Sequence, residues 1–390
     1  MNSSLMSAAR PKLETGADTF SSVRRHQLSD IVRRSALRFP DRMAICCGET
    51  RWSYSEFDRL VSRLAAALRQ EGLGAGDRVG ILARNSHAFA LWRFAVARIN
   101  AVFVPINFML KADEVAYILS HAKVLALACD LEHAELALAA QVQAPVLKHV
   151  FGLPSEDSQQ TPKGMKSLEQ LLGQVGSGYD PVEREIDAKN GIDVDQPQTL
   201  AQIVYTSGTE SLPKGAMLSH DNLASNSLTL VDYWRFTRDD VLIHALPIYH
   251  THGLFVASNV TLFARGSMIF LPKFDPEKIL DLMPRATVLM GVPTFYTRLL
   301  QSPHLTKEAT SHMRLFISGS APLLADTHRE WAAKTGHAVL ERYGMTETNM
   351  NTSNPYEGER IAGSVGFPLP GVELRITDPE SGAPLGTGET

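Results

Sequence analysis

Cysteine is scarce in this chain: Cys46, Cys47 and Cys129 are all that 390 residues contain. Adjacent Cys46 and Cys47 are poor disulfide partners, and no Cys/His spacing of a metal site is present. A disulfide scaffold and a zinc ribbon are excluded, and a reducing compartment, the cytoplasm, is expected. Long apolar runs are missing as well. The best candidate, Leu254–Ala264, is broken by Ser258, Asn259 and Thr261 and falls well short of the ~20 residues a membrane-spanning helix needs. Neither sign of charge is in excess: 38 Lys and Arg against 42 Asp and Glu leave a net charge of −4. That balance argues against a general nucleic-acid binder. Repeats and low-complexity tracts are also lacking. Residues 1–27 are polar, hold several Arg and Ser, and have no hydrophobic secretory core, so they read as a disordered tail, with a weak organelle-type leader as the alternative.

What is present is an ordinary globular composition, 44% hydrophobic and 21% charged, at a length that exceeds one core of usual size and predicts two or three lobes. Helical periodicity marks Asp30–Arg38 and Tyr54–Gln70. A strict alternation follows: strand Arg78–Ala83, helix Ser86–Ile99, strand Ala101–Pro105, helix Lys111–His121, strand Val124–Ala128. Such a βαβαβ pattern predicts a parallel sheet. Residues 152–199, rich in Pro, Gly, Gln and Asp, read as a connection with one helical island at Leu168–Leu172. A second α/β run has strands at Gln202–Tyr205, Val241–Ala245, Ser267–Leu271, Thr287–Met290, Arg314–Ile317 and Ala338–Glu341, with helices such as Ala325–Lys334 between them. Beyond Pro355 the texture changes to turns and short strands, such as Val372–Ile376. The expected division is therefore 28–200, 201–350 and a partial β-rich piece, 351–390.

The densest chemistry lies in Tyr205-Thr-Ser-Gly-Thr-Glu-Ser-Leu-Pro-Lys-Gly-Ala216, which follows a predicted strand. A glycine lets backbone N–H groups approach phosphate oxygens, hydroxyls add donors, and a lysine adds positive charge. The segment reads as a phosphate-gripping loop; the plain alternative is a polar turn with a solvated Lys214. A P-loop NTPase is disfavoured, because Pro213 and Gly215 stand where that motif needs Gly and Ser or Thr. Gly72-Leu-Gly-Ala-Gly76 precedes its strand and is no dinucleotide fingerprint.

Together with Ser318-Gly-Ser-Ala-Pro322 and Glu341-Arg-Tyr-Gly-Met-Thr-Glu-Thr348, this loop resembles the three signature motifs of the adenylate-forming superfamily, which includes acyl-CoA synthetases, firefly-type luciferases and adenylation domains. The order and spacing are family-like, and the likeness runs from about Leu28 to the end. Glu210-Ser211 departs from the Thr-Gly of many members. The resemblance implies an α/β fold: the large N-terminal domain of these enzymes, two parallel-rich α/β subdomains plus part of a β-barrel. It also implies an AMP-forming acid–thiol ligase that uses ATP, Mg²⁺ and coenzyme A. The family's mobile C-terminal domain is expected to be absent, which would impair thioester formation.

Carried onto this sequence, the resemblance assigns Thr206, Ser207, Gly208, Thr209 and Lys214 to the departing pyrophosphate, Thr346 to the α-phosphate, and Glu347 to Mg²⁺. Tyr343 would stack on adenine against Gly319, Ser320 and Ala321. Ser318, Glu341, Arg342, Gly344 and Met345 complete the nucleotide motifs. Lys214, Thr346 and Glu347 are the candidate catalytic residues. In Pro247-Ile-Tyr-His-Thr-His-Gly253, His250 or His252 would line the acyl pocket; the alternative is neutral rings packed at a helix start, and a zinc reading lacks a third ligand. Met290, Gly291, Met345 and Arg298 would line the same pocket. An arginine there needs a second carboxylate to pair with, which points to a short dicarboxylate such as malonate, although a solvated surface Arg298 is the commoner fate.

Met290–Arg298 and Asn349-Met-Asn-Thr-Ser-Asn-Pro-Tyr356 look most like malonyl-CoA synthetases. Residues 75–120 look more like general acyl-CoA synthetases, which raises the prospect that the halves derive from two branches. The alternatives are a fatty acyl-CoA or aryl-CoA ligase and a non-catalytic nucleotide- or acyl-binding remnant. A small carboxylate is the expected partner, with no nucleic acid and no membrane span; oligomeric state is not readable.

Overall fold

The computed structural model describes residues 27–155, 160–176, 199–206 and 212–389. Its strands, in chain order, are β1 Met43–Cys47, β2 Thr50–Ser53, β3 Arg78–Leu82, β4 Val102–Pro105, β5 Val124–Asp130, β6 His149–Leu153, β7 Lys166–Ser167 and β8 Leu200–Thr206. They continue with β9 Lys214–Ser219, β10 Val241–His244, β11 Ser267–Phe270, β12 Val288–Gly291, β13 Leu315–Ser318, β14 Leu340–Met345, β15 Asn349–Ser353 and β16 Phe367–Pro368. Among the described residues they form two sheets. One has the order β7-β6-β5-β3-β4-β8-β9 and the other β16-β15-β14-β13-β12-β10-β11-β1-β2.

Both sheets are parallel through their centres, with antiparallel strands at one end of the seven-stranded sheet and at both ends of the nine-stranded one. In the seven-stranded sheet only β9 runs against its neighbour. In the nine-stranded sheet β2 closes one end, and β15 and β16 close the other. Parallel strands covered on both faces read as continuous apolar runs, as Val79, Ile81 and Leu82 on β3 illustrate, all fully buried.

The helix His87–Arg98 is buried on every side from His87 to Ala97, as expected of a helix that is apolar all round. It ties the two sheets together. Phe89 meets Phe103 of β4 edge to face, while Arg93 donates to Leu254 O at 2.6 Å and to Asn259 Oδ1 at 2.8 Å on the other side. One hydrophobic core therefore runs from β3 and β4 to β12 and β13. The helix Tyr54–Gln70 starts at a capping box, with Ser53 N–H donating to the Glu56 carboxylate at 2.8 Å and Glu56 N–H to Ser53 Oγ.

The chain does not sort between the sheets at residue 200. Strands β1 and β2 join the nine-stranded sheet, where Ile45 pairs with Met268. Strands β8 and β9 belong to the seven-stranded sheet, where Phe103 pairs with Gln202. The expected pieces 28–200 and 201–350 thus exchange strands. β15 and β16 extend the larger sheet, so 351–390 is continuous with it instead of standing apart. Val372–Ile376 is not a strand; Leu374 and Ile376 are exposed, and the nearest pairing is an isolated bridge, Thr377 to Pro384. The 152–199 connection holds β7 and a helix, Leu168–Gln174. The predicted tail lies outside the described residues except for Gln27, which is anchored by its side-chain amide donating to Ala97 O at 3.1 Å.

Candidate active site

Neighbouring parallel strands β10, β12, β13 and β14 end side by side, with Gly291 in register with Ser318 and Ser318 with Glu341. The segments that follow them are 245–253, 291–298, 318–322 and 343–348. Ligands of open α/β sheets bind at such carboxyl ends.

Two contacts bring three of these segments together. Thr251 donates its hydroxyl to Thr346 Oγ1 at 3.1 Å. His252 Nδ1 and Ser320 Oγ lie 3.3 Å apart. The histidine segment is held in turn by Asn85, whose amide donates to Leu246 O at 2.7 Å and Leu271 O at 3.2 Å and accepts from Ile248 N–H at 3.0 Å. From His252 to Ala257 the backbone is a π-helix, a widened turn common at functional sites. Gly253 is required there, since a Cβ would sit 2.4 Å from Pro247 O.

His250 stacks at a tilt on Tyr249, with ring centroids 4.7 Å apart; burial of the ring lowers its pKa, although its rim is open to solvent. His252 is buried, and its pKa is lowered well below the ordinary value by burial first and by Arg342 and the other histidines second. It is a neutral ring at physiological pH, and its Nε2 has no partner among the described residues.

The Ser318–Pro322 turn carries Ser320 in a left-handed conformation, φ 72°, which exposes Ser320 and Ala321 while Ser318 and Gly319 stay buried. Gly319 has no room for a side chain, because the Arg342 guanidinium lies 2.3–2.6 Å from where its Cβ would be. On β14, Glu341 and Arg342 are buried while Tyr343 and Met345 are open; just past its end, Thr346 is half-open and Glu347 open. The Glu341 carboxylate accepts from Gly363 N–H at 3.1 Å, and burial raises its pKa. Arg342 likewise points inward, away from the face that Tyr343 presents.

On the neighbouring sheet, Thr206 and Lys214 pair across the β8–β9 hairpin, and Lys214 is exposed. Ser207, Gly208 and Thr209 lie outside the described residues. The flanks of this hairpin are fixed: Tyr205 Oη lies 2.6 Å from His121 Nδ1, and Tyr117 donates to Pro213 O at 3.3 Å.

Residues 32–390 match the family of AMP-binding enzymes. The chain belongs to this family. Among solved structures it is similar to ATP-bound MatB from Rhodopseudomonas palustris, with a TM-score of 0.80 and 53% identity, covering 93% of this chain and 68% of that one. The alignment thus spans both halves of the sequence. Among curated proteins it is similar to the malonate–CoA ligase ACSF3, mitochondrial, of Homo sapiens, 31% identical over 91% of this chain and 61% of the relative. A probable CoA ligase, CCL8, of Humulus lupulus is 32% identical over 88% of this chain and 58% of its own length. The chain therefore spans about six-tenths of the curated relatives it matches.

Ser320, Ala321 and Tyr343 are all exposed, on the turn after β13 and on the neighbouring strand β14. Glu347 offers one hard carboxylate oxygen, which fits a magnesium ion shared with substrate phosphates. Among the described residues no group of three or more His, Cys, Asp or Glu could hold a metal by itself, so a zinc site at His250 and His252 has no support. Met290 is fully buried in β12, and Gly291 is packed against Phe295. Arg298 is exposed, with its guanidinium 4.7 Å from the centroid of the Phe274 ring. Asn85 and Thr251 were not singled out from sequence as site residues. Their signal was faint, a polar residue beside a strand end and a threonine between two histidines.

Among the described residues no helix is long and apolar enough to cross a membrane. Among the described residues Cys46, Cys47 and Cys129 form no disulfide.

Proposed function

We propose that this chain activates a short dicarboxylate, malonate first, by condensing it with ATP to an acyl-adenylate and pyrophosphate, and that the acyl group then passes to the thiol of coenzyme A with release of AMP. The carrying observation is the clamp of the histidine segment onto both nucleotide motifs, Thr251 to Thr346 and His252 to Ser320. It holds the segment we assign to the acyl pocket against Thr346, the residue we assign to the α-phosphate. The likeness to MatB and to malonate–CoA ligases supports the choice of acid.

The chemistry asks for positioned charge more than for a nucleophilic side chain. Lys214 and Thr206, with Ser207, Gly208 and Thr209, would hold the departing pyrophosphate. Thr346 would donate to the α-phosphate, its orientation set by Thr251. Glu347 would hold Mg²⁺, which when bound neutralises phosphate charge. Tyr343 would cover adenine opposite Gly319, Ser320 and Ala321. We keep a reducing compartment such as the cytoplasm in this reading; the mouse and human relatives bear mitochondrial names.

The test is malonate-dependent exchange of labelled pyrophosphate into ATP. Exchange is expected to need malonate and to fall by about a hundredfold or more in Lys214→Ala. Exchange driven better by octanoate than by malonate would favour a fatty acyl ligase. No exchange while ATP still binds would leave a binding protein, and γ-phosphate release without any acid would contradict the reading altogether.

A further inference from the structure

Arg93 carries its charge into the seam between the two sheets. It is 3% exposed. Its Nη1 donates to Leu254 O and its Nη2 to Asn259 Oδ1, both neutral acceptors, while its Nε has no partner among the described residues. The Phe94 ring, with its centroid 5.1 Å from the guanidinium carbon, offers a quadrupole but no charge. Burial alone moves the pKa, down to about 9, with no carboxylate raising it, so the guanidinium stays charged at neutral pH. His220 and His244, the ionisable groups that feel this charge, are held neutral by burial first. Asn259 Nδ2 is a second buried donor without a partner there. Charges this deep are ordinarily paired with an anion, and among the described residues no side chain supplies one to Arg93.

Arg93 also lines a cavity of about 10 Å³, counted as room for the centre of a water-sized sphere. A space of that size takes one water-sized body, which excludes phosphate, sulfate and carboxylates. Arg93 and Ser258 are the polar side chains of its wall; the rest is apolar, with Phe89 and Phe94 from the same helix and Leu254 and Phe270 from the other sheet's side. Ser258 is already engaged, since its hydroxyl donates to Gly253 O at 2.8 Å and lies 3.1 Å from His244 Nε2. A buried water makes about three hydrogen bonds, and this wall offers it little beyond Arg93. A halide is a sphere without directional demands. Beside a cation in a dry surrounding, the Coulomb attraction offsets its lost hydration.

We propose that this cavity is a site for one small monovalent anion, chloride in solution, paired with the Arg93 guanidinium where the two sheets meet. The site stands apart from the choice of acid above and does not depend on it. Its place gives the ion a structural role. Arg93 belongs to the helix His87–Arg98, which packs on β4. Leu254 both lines the cavity and accepts from Arg93, and it lies in the π-helix His252–Ala257. A bound ion thus braces, through Arg93, the segment that carries His252 against the helix of the neighbouring sheet.

The test is thermal unfolding in sodium gluconate replaced stepwise by sodium chloride, up to about 0.2 M at constant ionic strength; gluconate is too large for the cavity. The wild-type midpoint is expected to rise by about 2–4 °C and then level off, as filling of a single site requires, and bromide should act alike. Arg93→Met is expected to lose the rise. Ala90→Val fills the cavity from its wall, leaves the guanidinium in place, and should lose the rise too; it decides the matter if Arg93→Met does not melt cooperatively. In crystals of the wild type grown in bromide, an anomalous peak is expected within hydrogen-bonding reach of Arg93 Nε. A midpoint indifferent to chloride, a rise that never levels off, or a rise that survives in either variant would each overturn the proposal. So would bromide crystals with no anomalous peak at Arg93, which would leave water as the occupant.

Discussion

Burial pushes His87, His220 and His244 down to about 4 from an ordinary 6.5. In the unfolded chain each takes a proton near pH 6.5; in the folded chain each stays neutral until about pH 4. The unfolded state therefore binds more protons between these limits, and folding weakens as pH falls through that window. Urea midpoints measured from pH 7.5 to 4 should be level above 7 and drop steadily below 6.5; a midpoint flat to pH 5 would contradict these burial states. Asn85 makes a second prediction. Its replacement by alanine strands the Leu246 and Leu271 carbonyls and the Ile248 N–H, and should lower the unfolding free energy by about 3 kcal/mol. Neither role was legible in the sequence, because burial and partner choice are tertiary properties. The same holds for the two arginines. Arg298 drew attention through its place in a motif, yet it is solvent-exposed as helix-surface arginines usually are. Arg342 looked like part of a nucleotide strand, and only the packing of Gly319 shows where its charge lies.

Between His252 and Phe263 a π-helix runs directly into an α-helix, and the widened turn exists because Gly253 passes under Pro247 O. Gly253→Ala forces that turn apart and should cost about 2 kcal/mol of stability, read by urea unfolding; an unchanged midpoint would mean the turn relaxes freely. Elements with strong local signals were legible. The helix Tyr54–Gln70 has its predicted bounds, because a capping box and an unbroken apolar stripe leave no alternative. Strands β3, β4 and β5 stood out as apolar runs between helices. Other elements were hidden. The β1–β2 hairpin is short and half-buried, and its apolar residues suit several structures. Strand β15 is Asn349-Met-Asn-Thr-Ser353, a polar run held by partners elsewhere, such as Asn226 donating to Met350 O at 2.9 Å. Val372–Ile376 alternates like a strand but lacks a neighbour to pair with.

At the level of the molecule, the alternation of strands and helices was enough to establish the α/β class, and the motifs could be read as falling at strand ends, where open α/β sheets bind ligands. The partition of strands between sheets was not readable, since nothing local in Met43–Cys47 names Ser267–Phe270 as its partner. That partition has a consequence during synthesis. Ile45 leaves the ribosome long before Met268, the residue it pairs with, and at ~5–20 residues per second the interval is roughly ten to forty seconds. Throughout it, one edge of the β1–β2 hairpin waits open, next to an apolar helix that also lacks its cover. Nascent chains halted before β11 emerges should be cut by protease between Met43 and Ser53, and chains halted after it should resist. The seven-stranded sheet, complete at Ser219, would by then have closed, so the molecule is assembled with its first hairpin added late.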